Sequence, residues 1–382
     1  MEADLITEAD TAELQSSRAM ESIAMNGGLG PESYAQNSSY QESGLAPALA
    51  MIEEAIAADM EYMTAHFPAF TSGEPFRIAD LGCSVGSNTF VVVGGIIDTI
   101  LSNLEQYYSP GDSPEFQVFF NDTASNDFNT LVRSPRWQVA RYFAAAVPGT
   151  FHGRLFPTSS LHFVHSSYAI QWLSRVPAAV VDEKSQAWNK GKIMFLGARA
   201  EVLEAFRGQF AMDMDSFLRA RAEEVVPGGL MALVFPFSGA HRLSIDHPPP
   251  PLILLLLHLL ESALSDMVAM GRVEEYEMDC FNLNFYLPTM EEFKALVSRN
   301  GSFSIEKMQP LTSSFQMAFD ARALSAIVRA FTEWAISTHF GSEIGEEIFD
   351  RHCQKIEESS HLVRSCNGLR QELFLLLKRR PT

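Results

Sequence analysis

The stretch that decides the fold of this chain reads RIADLGCSVGSNT and occupies residues 77–89. Its first five positions are mostly apolar, as expected of a strand buried in a parallel sheet. The glycines that follow, Gly82 and Gly86, suit a loop that passes close to a ligand or takes a positive φ. Asp80 stands near the carboxyl end of the strand, where open α/β sheets bind their ligands. The stretch therefore predicts a strand, a glycine turn and a helix around a nucleotide-type site, with Asp80 pointing into it.

Strands and helices alternate downstream of this stretch. The apolar pattern predicts strands at 116–120, 161–164 and 230–235, and helices at 89–108, 124–133 and 198–226. The last of these helices should stop at the Pro-Gly-Gly sequence of residues 227–229. Such alternation is typical of a parallel, doubly wound sheet, so we expect an α/β, Rossmann-like fold.

Two regions depart from this alternation. Residues 1–22 are acidic and polar and are predicted to form a mobile tail, which leaves residues 23–382 as the folded domain. Residues from about 245 to 345 are mostly helical in pattern, which predicts a helical lobe that caps the substrate. The apolar runs at 303–308 and 373–377 would complete the sheet.

Composition limits the classes of partner. The chain has 382 residues and a net charge of −19, so a nucleic acid is disfavoured because it would be repelled. The four cysteines show no paired spacing and no signal peptide is evident, which predicts a reduced, cytoplasmic protein. The longest apolar run, Leu252 to Leu260, is shorter than the ~20 residues that span a bilayer. We interpret it as a buried helix and expect no membrane partner.

The glycine turn allows more than one chemistry. The sequence GCSVG matches the nucleophile elbow of α/β-hydrolases, in which Ser84 would attack an ester. Such an elbow normally follows several strands, and residues 1–76 predict none. A dehydrogenase would need G-x-G-x-x-G after the first strand, which is missing here. A D-x-G-x-x-x-G loop instead leaves room for the methionine part of S-adenosylmethionine (SAM), with the hydrolase kept as a distant alternative.

Asp122 supports the SAM interpretation. It follows the second predicted strand, where an acidic side chain would accept hydrogen bonds from the two ribose hydroxyls. The alternative for Asp122 is the N-cap of the helix that follows.

Further motifs occur in the order found in the plant SABATH methyltransferases. They are MNGG at 25–28, SYA at 33–35, ADLGCS at 79–84, ND at 121–122, VPG at 147–149, SSY at 166–168, QWLS at 171–174, NKGK at 189–192 and FN at 281–282. The chain resembles this family from about Met25 to its C-terminus. The resemblance implies SAM as the methyl donor and the carboxyl group of a small acid as the acceptor. Methylation of nitrogen or sulfur on the same scaffold is the alternative, and a homodimer is also implied.

The resemblance assigns residues to three sites. The substrate would be held by Gln41, Tyr168, Gln171 and Trp172. The cofactor would be contacted by Tyr34, Asn37, Asp80, Gly82, Cys83, Asn88, Asp122, Thr123, Thr150 and Phe151, where Thr123 replaces a leucine that is usual in the family. A magnesium ion would be held by Asn189, Asp279, the Phe281 carbonyl and Asn282, because all-oxygen ligands suit a hard cation; a structural polar cluster is the alternative.

No catalytic acid or base is expected. A carboxylic acid is already ionised at neutral pH, so its oxygen can attack the methyl group without a general base. The protein must position the acid and exclude water. The indole N–H of Trp172, a donor only, and the amide of Gln41 would orient the carboxylate. The two histidines of the third predicted strand, His162 and His165, are interpreted as packing residues.

Overall fold

The structure is a computed structural model that describes residues 24–105, 113–239, 250–311, 317–366 and 368–381. The acidic tail predicted at residues 1–22 lies outside the described residues. So do the end of the first long predicted helix, at 106–108, and the start of the predicted lobe, at 245–249.

The described strands form one sheet. They are β1 (Phe76–Leu81), β2 (Phe116–Asp122), β3 (Phe143–Pro148), β4 (Leu161–Ser167), β5 (Val225–Pro236), β6 (Phe303–Pro310) and β7 (Glu372–Arg379). Their order is β3-β2-β1-β4-β5-β7-β6; the first five run parallel, and β7 is antiparallel to both of its neighbours. The doubly wound α/β prediction is confirmed. The strand order reverses between β1 and β4, which is where such sheets bind ligands.

The described helices cover both faces of the sheet. They are α1 (Tyr34–Asn37), α2 (Ser39–His66), α3 (Pro68–Thr71), α4 (Asn88–Leu104), α5 (Phe128–Val132), α6 (Pro135–Gln138), α7 (Ala178–Val181), α8 (Ala200–Glu224), α9 (Leu252–Ala269), α10 (Glu275–Asp279), α11 (Met290–Asn300), α12 (Ala321–Phe340), α13 (Ser342–Glu358) and α14 (Ser360–Cys366). Helices α2 and α4 pack on one face, and α8 and α11 on the other. Successive strand residues therefore enter different cores: Ile78 packs with the first pair and Ala79 with the second.

The sequence pattern misses strand β3. Its sequence, FAAAVP, is rich in alanine, which has a low strand propensity. It is also an edge strand with no fully buried residue, so it carries no strong apolar signal. Parallel main-chain pairing with β2 makes it a strand.

The Pro-Gly-Gly sequence does not end a helix. Helix α8 already ends at Glu224, and residues 227–229 lie inside β5 at a shift of its register against β4. Gly228 has a φ of 79°, which favours glycine, and a Cβ there would lie 2.1 Å from the Tyr62 ring. These residues form an irregular turn within the strand, so the predicted helix end is wrong.

The helical lobe is assembled from separated segments. Helix α9 packs against α12, α13 and α14, and α12 packs against α13. Residues 290–310, inside the predicted range of 245–345, return to the sheet as α11 and β6, whereas α13 and α14 extend the helical group to Cys366. By length and composition alone α9 could cross a membrane, but most of its side chains are buried against these helices.

The two histidines of β4, His162 and His165, have different roles. His162 fits the packing interpretation, because its ring lies between Phe67 and Phe76, with ring centres 5.3 and 4.9 Å away. Its Nδ1 also accepts the backbone N–H of Arg77 at 2.9 Å. His165 is not a packing residue, contrary to the prediction, because its Nδ1 lies 2.6 Å from a carboxylate oxygen of Asp80.

We expect His162 to make the fold sensitive to acid. Burial and the nearby Arg77 lower the pKa of His162 to about 4, whereas the unfolded chain binds this proton below about 6.5. Stability should therefore fall between pH 6.5 and 4, by on the order of 3 kcal/mol from this group. Replacing His162→Asn keeps an acceptor for the Arg77 N–H but does not titrate. Urea unfolding across this pH range should show a smaller loss for the variant, and parallel curves would contradict the assignment.

Candidate active site

A cavity of about 430 Å³ opens at the carboxyl ends of the central strands, between the sheet and the helical lobe. Its size is ordinary for a small-molecule site. On the sheet side it is bordered by Asp122, the last residue of β2, and by residues that follow β1, β3 and β4, namely Gly82, Thr150 and Tyr168. On the lobe side it is bordered by Ile253, Leu254, Leu257, Leu283 and Phe331. The predicted leucine run thus supplies one apolar wall.

Gly82 makes the turn after β1 possible. It has a φ of 82°, and a Cβ at this position would lie 2.3 Å from the Cβ of Ala169. Its N–H and that of Cys83 both donate to the carbonyl of Asn121, each at 2.9 Å. A bare backbone therefore faces the cavity, as the SAM interpretation requires.

Ser84 does not have the surroundings of a nucleophile. It also has a positive φ, of 51°, and borders the cavity. Its hydroxyl oxygen is buried and has no hydrogen-bond partner among the described residues. A serine nucleophile needs an adjacent base to remove its proton, so the geometry argues against the hydrolase alternative.

Asp122 joins the turn after β1 to the loop after β2. Its Oδ2 accepts the N–H of Ser84 and its Oδ1 accepts the N–H of Thr123, both at 2.7 Å. Burial raises the pKa of Asp122 to about 6, although both N–H bonds act in the opposite direction. Each carboxylate oxygen keeps the capacity for a further hydrogen bond, and both Asp122 and Thr123 border the cavity.

The N-cap alternative for Asp122 is wrong. Helix α5 is capped by Asp127, whose Oδ1 accepts the N–H of Thr130 at 3.0 Å. The helix is consequently shorter than the predicted 124–133, and Asp122 is left for the cavity.

Asp80 does not point into the crevice, contrary to the prediction. It is 3% exposed and does not border the cavity. One of its oxygens accepts the hydroxyl of Thr89 and the other lies 2.6 Å from Nδ1 of His165. Asp80 thus ties β1 to the first turn of α4 and to β4, behind the glycine turn.

Three other predicted cofactor residues also lie behind the cavity wall. Cys83 is buried, which raises the pKa of its thiol, and its sulfur contacts the Ser84 carbonyl. The Asn88 amide donates to the hydroxyl of Ser38 at 3.2 Å, and the Asn37 amide donates to main-chain carbonyls of its own segment. Both amides fix the segment that starts at α1, from which Tyr34 and Gln41 reach the cavity.

The loop after β3 contributes three residues in a row. Thr150 and Phe151 border the cavity as the resemblance implies. His152 borders it too, and the sequence did not assign it to the site. Its imidazole hydrogen-bonds the Trp172 backbone, and burial lowers its pKa, so it is neutral at pH 7. Its Nδ1 is buried without a hydrogen-bond partner among the described residues.

An aromatic wall follows β4. The predicted substrate residues Tyr168, Gln171 and Trp172 all border the cavity, and the Gln171 amide donates to the Tyr168 carbonyl at 2.7 Å. The Trp172 indole meets Phe285 and Phe331 edge-on, with ring centres 6.0 and 6.1 Å away. The sequence did not single out these phenylalanines, because they lie more than one hundred residues from Trp172 and carry no motif.

A buried ion pair supports Tyr168 from behind. Arg370 donates to the Tyr168 hydroxyl at 2.9 Å and pairs with Glu372 at 2.7 Å. The same guanidinium donates to the hydroxyl of Ser43 and lies 4.1 Å from the ring centre of Tyr40. The side chains of this pair are 2% and 0% exposed, so their charged groups interact with protein groups and not with solvent.

The proposed magnesium ligands form a closed polar cluster outside the cavity. The Asn189 amide donates to Oδ1 of Asn282, and Oδ1 of Asp279 accepts the N–H of Gly191, both at 2.7 Å. Phe281 packs its ring in the lobe. Two of the oxygens that Mg²⁺ would need, Oδ1 of Asn282 and Oδ1 of Asp279, thus already accept hydrogen bonds from the protein. The arrangement fits the structural alternative and does not support a metal.

Comparison with known proteins identifies the family of this chain. A family profile described as "SAM dependent carboxyl methyltransferase" matches residues 20–380. The chain belongs to this family. It is 38% identical to loganic acid O-methyltransferase of Catharanthus roseus, over 95% of each chain, and 36% identical to a 3,7-dimethylxanthine N-methyltransferase of Camellia sinensis var. assamica, over 87% and 90%.

A solved structure shows the same fold. The structure of loganic acid methyltransferase with S-adenosylhomocysteine (SAH) superposes with a TM-score of 0.86 at 38% identity, covering 94% of this chain and 99% of that one. This chain is therefore a SAM-dependent methyltransferase, and its relatives include both O- and N-methyltransferases.

We expect cofactor affinity to depend on the ionisation of Asp122. As pH falls from 7 to 5, its carboxyl gains a proton near its pKa of about 6 and loses acceptor capacity. The SAH dissociation constant should rise up to about tenfold over this range, the limit that a group of this pKa reaches when only its ionised form binds, because hydrogen bonds to charged groups are worth ~1.5–3 kcal/mol. Calorimetry at several pH values measures this.

The matched variant is Asp122→Asn. It should bind SAH weakly already at pH 7 and show little further change on acidification. If the variant followed the same pH dependence as the unmodified protein, another group would be responsible.

Proposed function

We propose that this enzyme methylates the carboxyl group of a small, largely apolar acid to give its methyl ester. The observation that carries the proposal is one cavity with two unlike sides. An anionic, hydrogen-bonding side lies around Asp122, and an apolar side is lined by leucines and phenylalanines, with Trp172 and Gln41 also bordering the cavity. The related loganic acid O-methyltransferase acts on an acid, which supports the same class of acceptor here.

The residues of the first side would hold SAM. Asp122 would accept the ribose hydroxyls, and the bare turn at Gly82 leaves room for the methionine part. Phe151 offers a ring face for adenine beside the hydroxyl of Thr150. Tyr34 closes this side; burial and the neighbouring carboxylates keep the pKa of its phenol above the usual range, so it is a neutral donor. When bound, SAM supplies a methyl group already activated by its sulfonium.

The residues of the second side would orient the acid. A carboxylate needs donors, and the Trp172 indole N–H and the Gln41 amide can supply them without a proton transfer. The nearby charge of Arg370 is already paired with Glu372, so the cavity presents dipoles and apolar surface in place of a free cation. Catalysis then consists of alignment and exclusion of water, which needs no general base.

N-methylation of a heterocycle is the second candidate. The observation that favours it is His152, a neutral imidazole beside the cavity whose Nδ1 is unpartnered among the described residues. Such a nitrogen can accept the proton of a ring N–H. The xanthine N-methyltransferase relative, at 36% identity, makes this chemistry relevant to the scaffold.

We also propose a cytosolic location and a homodimeric assembly. All four cysteines are free thiols, which agrees with a reducing cytosol. A homodimer follows from the family resemblance, and light scattering of the purified protein would test it.

A labelled-SAM assay on a substrate panel tests the proposed function. The panel pairs aromatic, terpenoid and long aliphatic monocarboxylic acids with their amides, and adds xanthines. We expect label to enter base-labile methyl esters of the acids and to be absent from the amides. Transfer to xanthines with none to any acid would replace the first candidate by the second.

Trp172 tests how the acid is held. Trp172→Phe keeps a ring beside Phe285 and Phe331 but removes the N–H, so the kcat/KM for the acid should fall ~10- to 100-fold, the range of one hydrogen bond to a charge. The dissociation constant of SAH should stay within twofold of the unmodified enzyme. Equal losses in both quantities would place Trp172 on the cofactor side.

A further inference from the structure

A second buried ion pair lies behind the other side of the cavity. Arg221 and Glu224 stand one turn apart at the end of α8, 2.6 Å from each other, and both side chains are 0% exposed. Neither borders the cavity. Burying two charges is costly unless further hydrogen bonds satisfy them, so the partners of this pair are informative.

Within the described residues, the further hydrogen-bond partners of these two side chains are main-chain groups of one loop. Arg221 donates to the carbonyl of Phe151 at 3.0 Å and to that of Gly153 at 2.9 Å. Glu224 accepts the N–H of Leu155 at 2.5 Å and that of Phe156 at 2.9 Å. The pair therefore holds the two halves of the loop that follows β3, carbonyls on one side and N–H groups on the other.

The loop held in this way carries cavity residues. Phe151 and His152 border the cavity, and the Phe151 ring meets Phe217 of α8 edge-on at 6.1 Å. The Arg221 guanidinium lies 5.3 Å from the centre of the same Phe217 ring. A planar guanidinium can reach two carbonyls at once, which the single ammonium of a lysine cannot do in the same geometry.

We propose that Arg221 and Glu224 are positioning residues for the cofactor: they fix the loop of residues 151–156 so that Phe151 faces the adenine. The inference rests on the cofactor side proposed above, since that assignment places Phe151 against SAM. The pair acts through the loop and does not touch the ligand. Its loss should weaken the cofactor more than the acid.

Binding of SAH to the purified full chain tests the inference without requiring any acid. We expect Arg221→Lys to raise the SAH dissociation constant tenfold or more, measured by calorimetry below the melting temperature of the variant. Glu224→Gln is the second variant, because its amide can still accept an N–H; it should raise the constant severalfold. It decides the outcome if Arg221→Lys does not fold.

Two control variants separate positioning from loss of stability. Arg370→Lys breaks an ion pair that is as deeply buried but supports Tyr168, so it should lower the melting temperature while keeping the SAH constant within threefold. Arg219→Lys, on the same helix but 69% exposed, should change neither quantity. The inference is overturned if Arg221→Lys and Glu224→Gln bind SAH normally, or if Arg370→Lys weakens SAH as much.

Phe151→Leu distinguishes failure of this inference from failure of the site assignment. If Phe151→Leu binds SAH as tightly as the unmodified protein, the assignment of Phe151 to the cofactor is wrong. If Phe151→Leu is weakened tenfold but the two ion-pair variants are not, the assignment stands and only the positioning role is lost.

Discussion

The carboxylate of Asp122 is the group on which the cavity depends. It accepts the N–H of Ser84 from one strand end and the N–H of Thr123 from the next, so it sets the distance between two loops that face the ligand. These bonds offset part of the cost of burial, yet the pKa of Asp122 still rises to about 6. The carboxyl group of Asp122 therefore titrates close to neutral pH. When it is ionised, its oxygens can accept further hydrogen bonds, for which a diol offers two donors.

Other buried charged side chains outside the cavity also stabilise the segments around it. Arg221 and Arg370 are bonded to Phe151 and Tyr168, which border the cavity, and buried Asp80 is bonded to Thr89 and His165 behind the glycine turn. An isolated buried charge would destabilise the fold, so each of the three has several partners. The contacts of Asp80, Arg221 and Arg370 fix, respectively, the first turn of α4 against β1 and β4, the loop after β3, and Tyr168. Rigid support of this kind would suit the proposed methyl transfer to a carboxylate, which depends on alignment.

The local features could be predicted because they depend on residues that are adjacent in the sequence. The turn at Gly82, the position of Asp122 at the end of β2 and the apolar character of α9 each follow from a short run of sequence. The sequence did not predict the alanine-rich strand β3, because it forms a strand through pairing at the sheet edge. The sequence did not predict the irregular turn inside β5 either, because glycine and proline occur both at helix ends and in strand bulges.

By itself the sequence determined the fold class, the positions along the chain of the loops that follow the central strands, and the residue types available to bind a methyl donor. Only the tertiary structure decided which of those residues reach the cavity. Asp80 turns inward to His165, and the Asn189 amide donates to the Asn282 side-chain oxygen. Phe285, Phe331 and His152 enter the site from distant or unmarked positions. The physical reason is that buried polar groups take the partners that packing brings near, and spacing along the chain does not specify them.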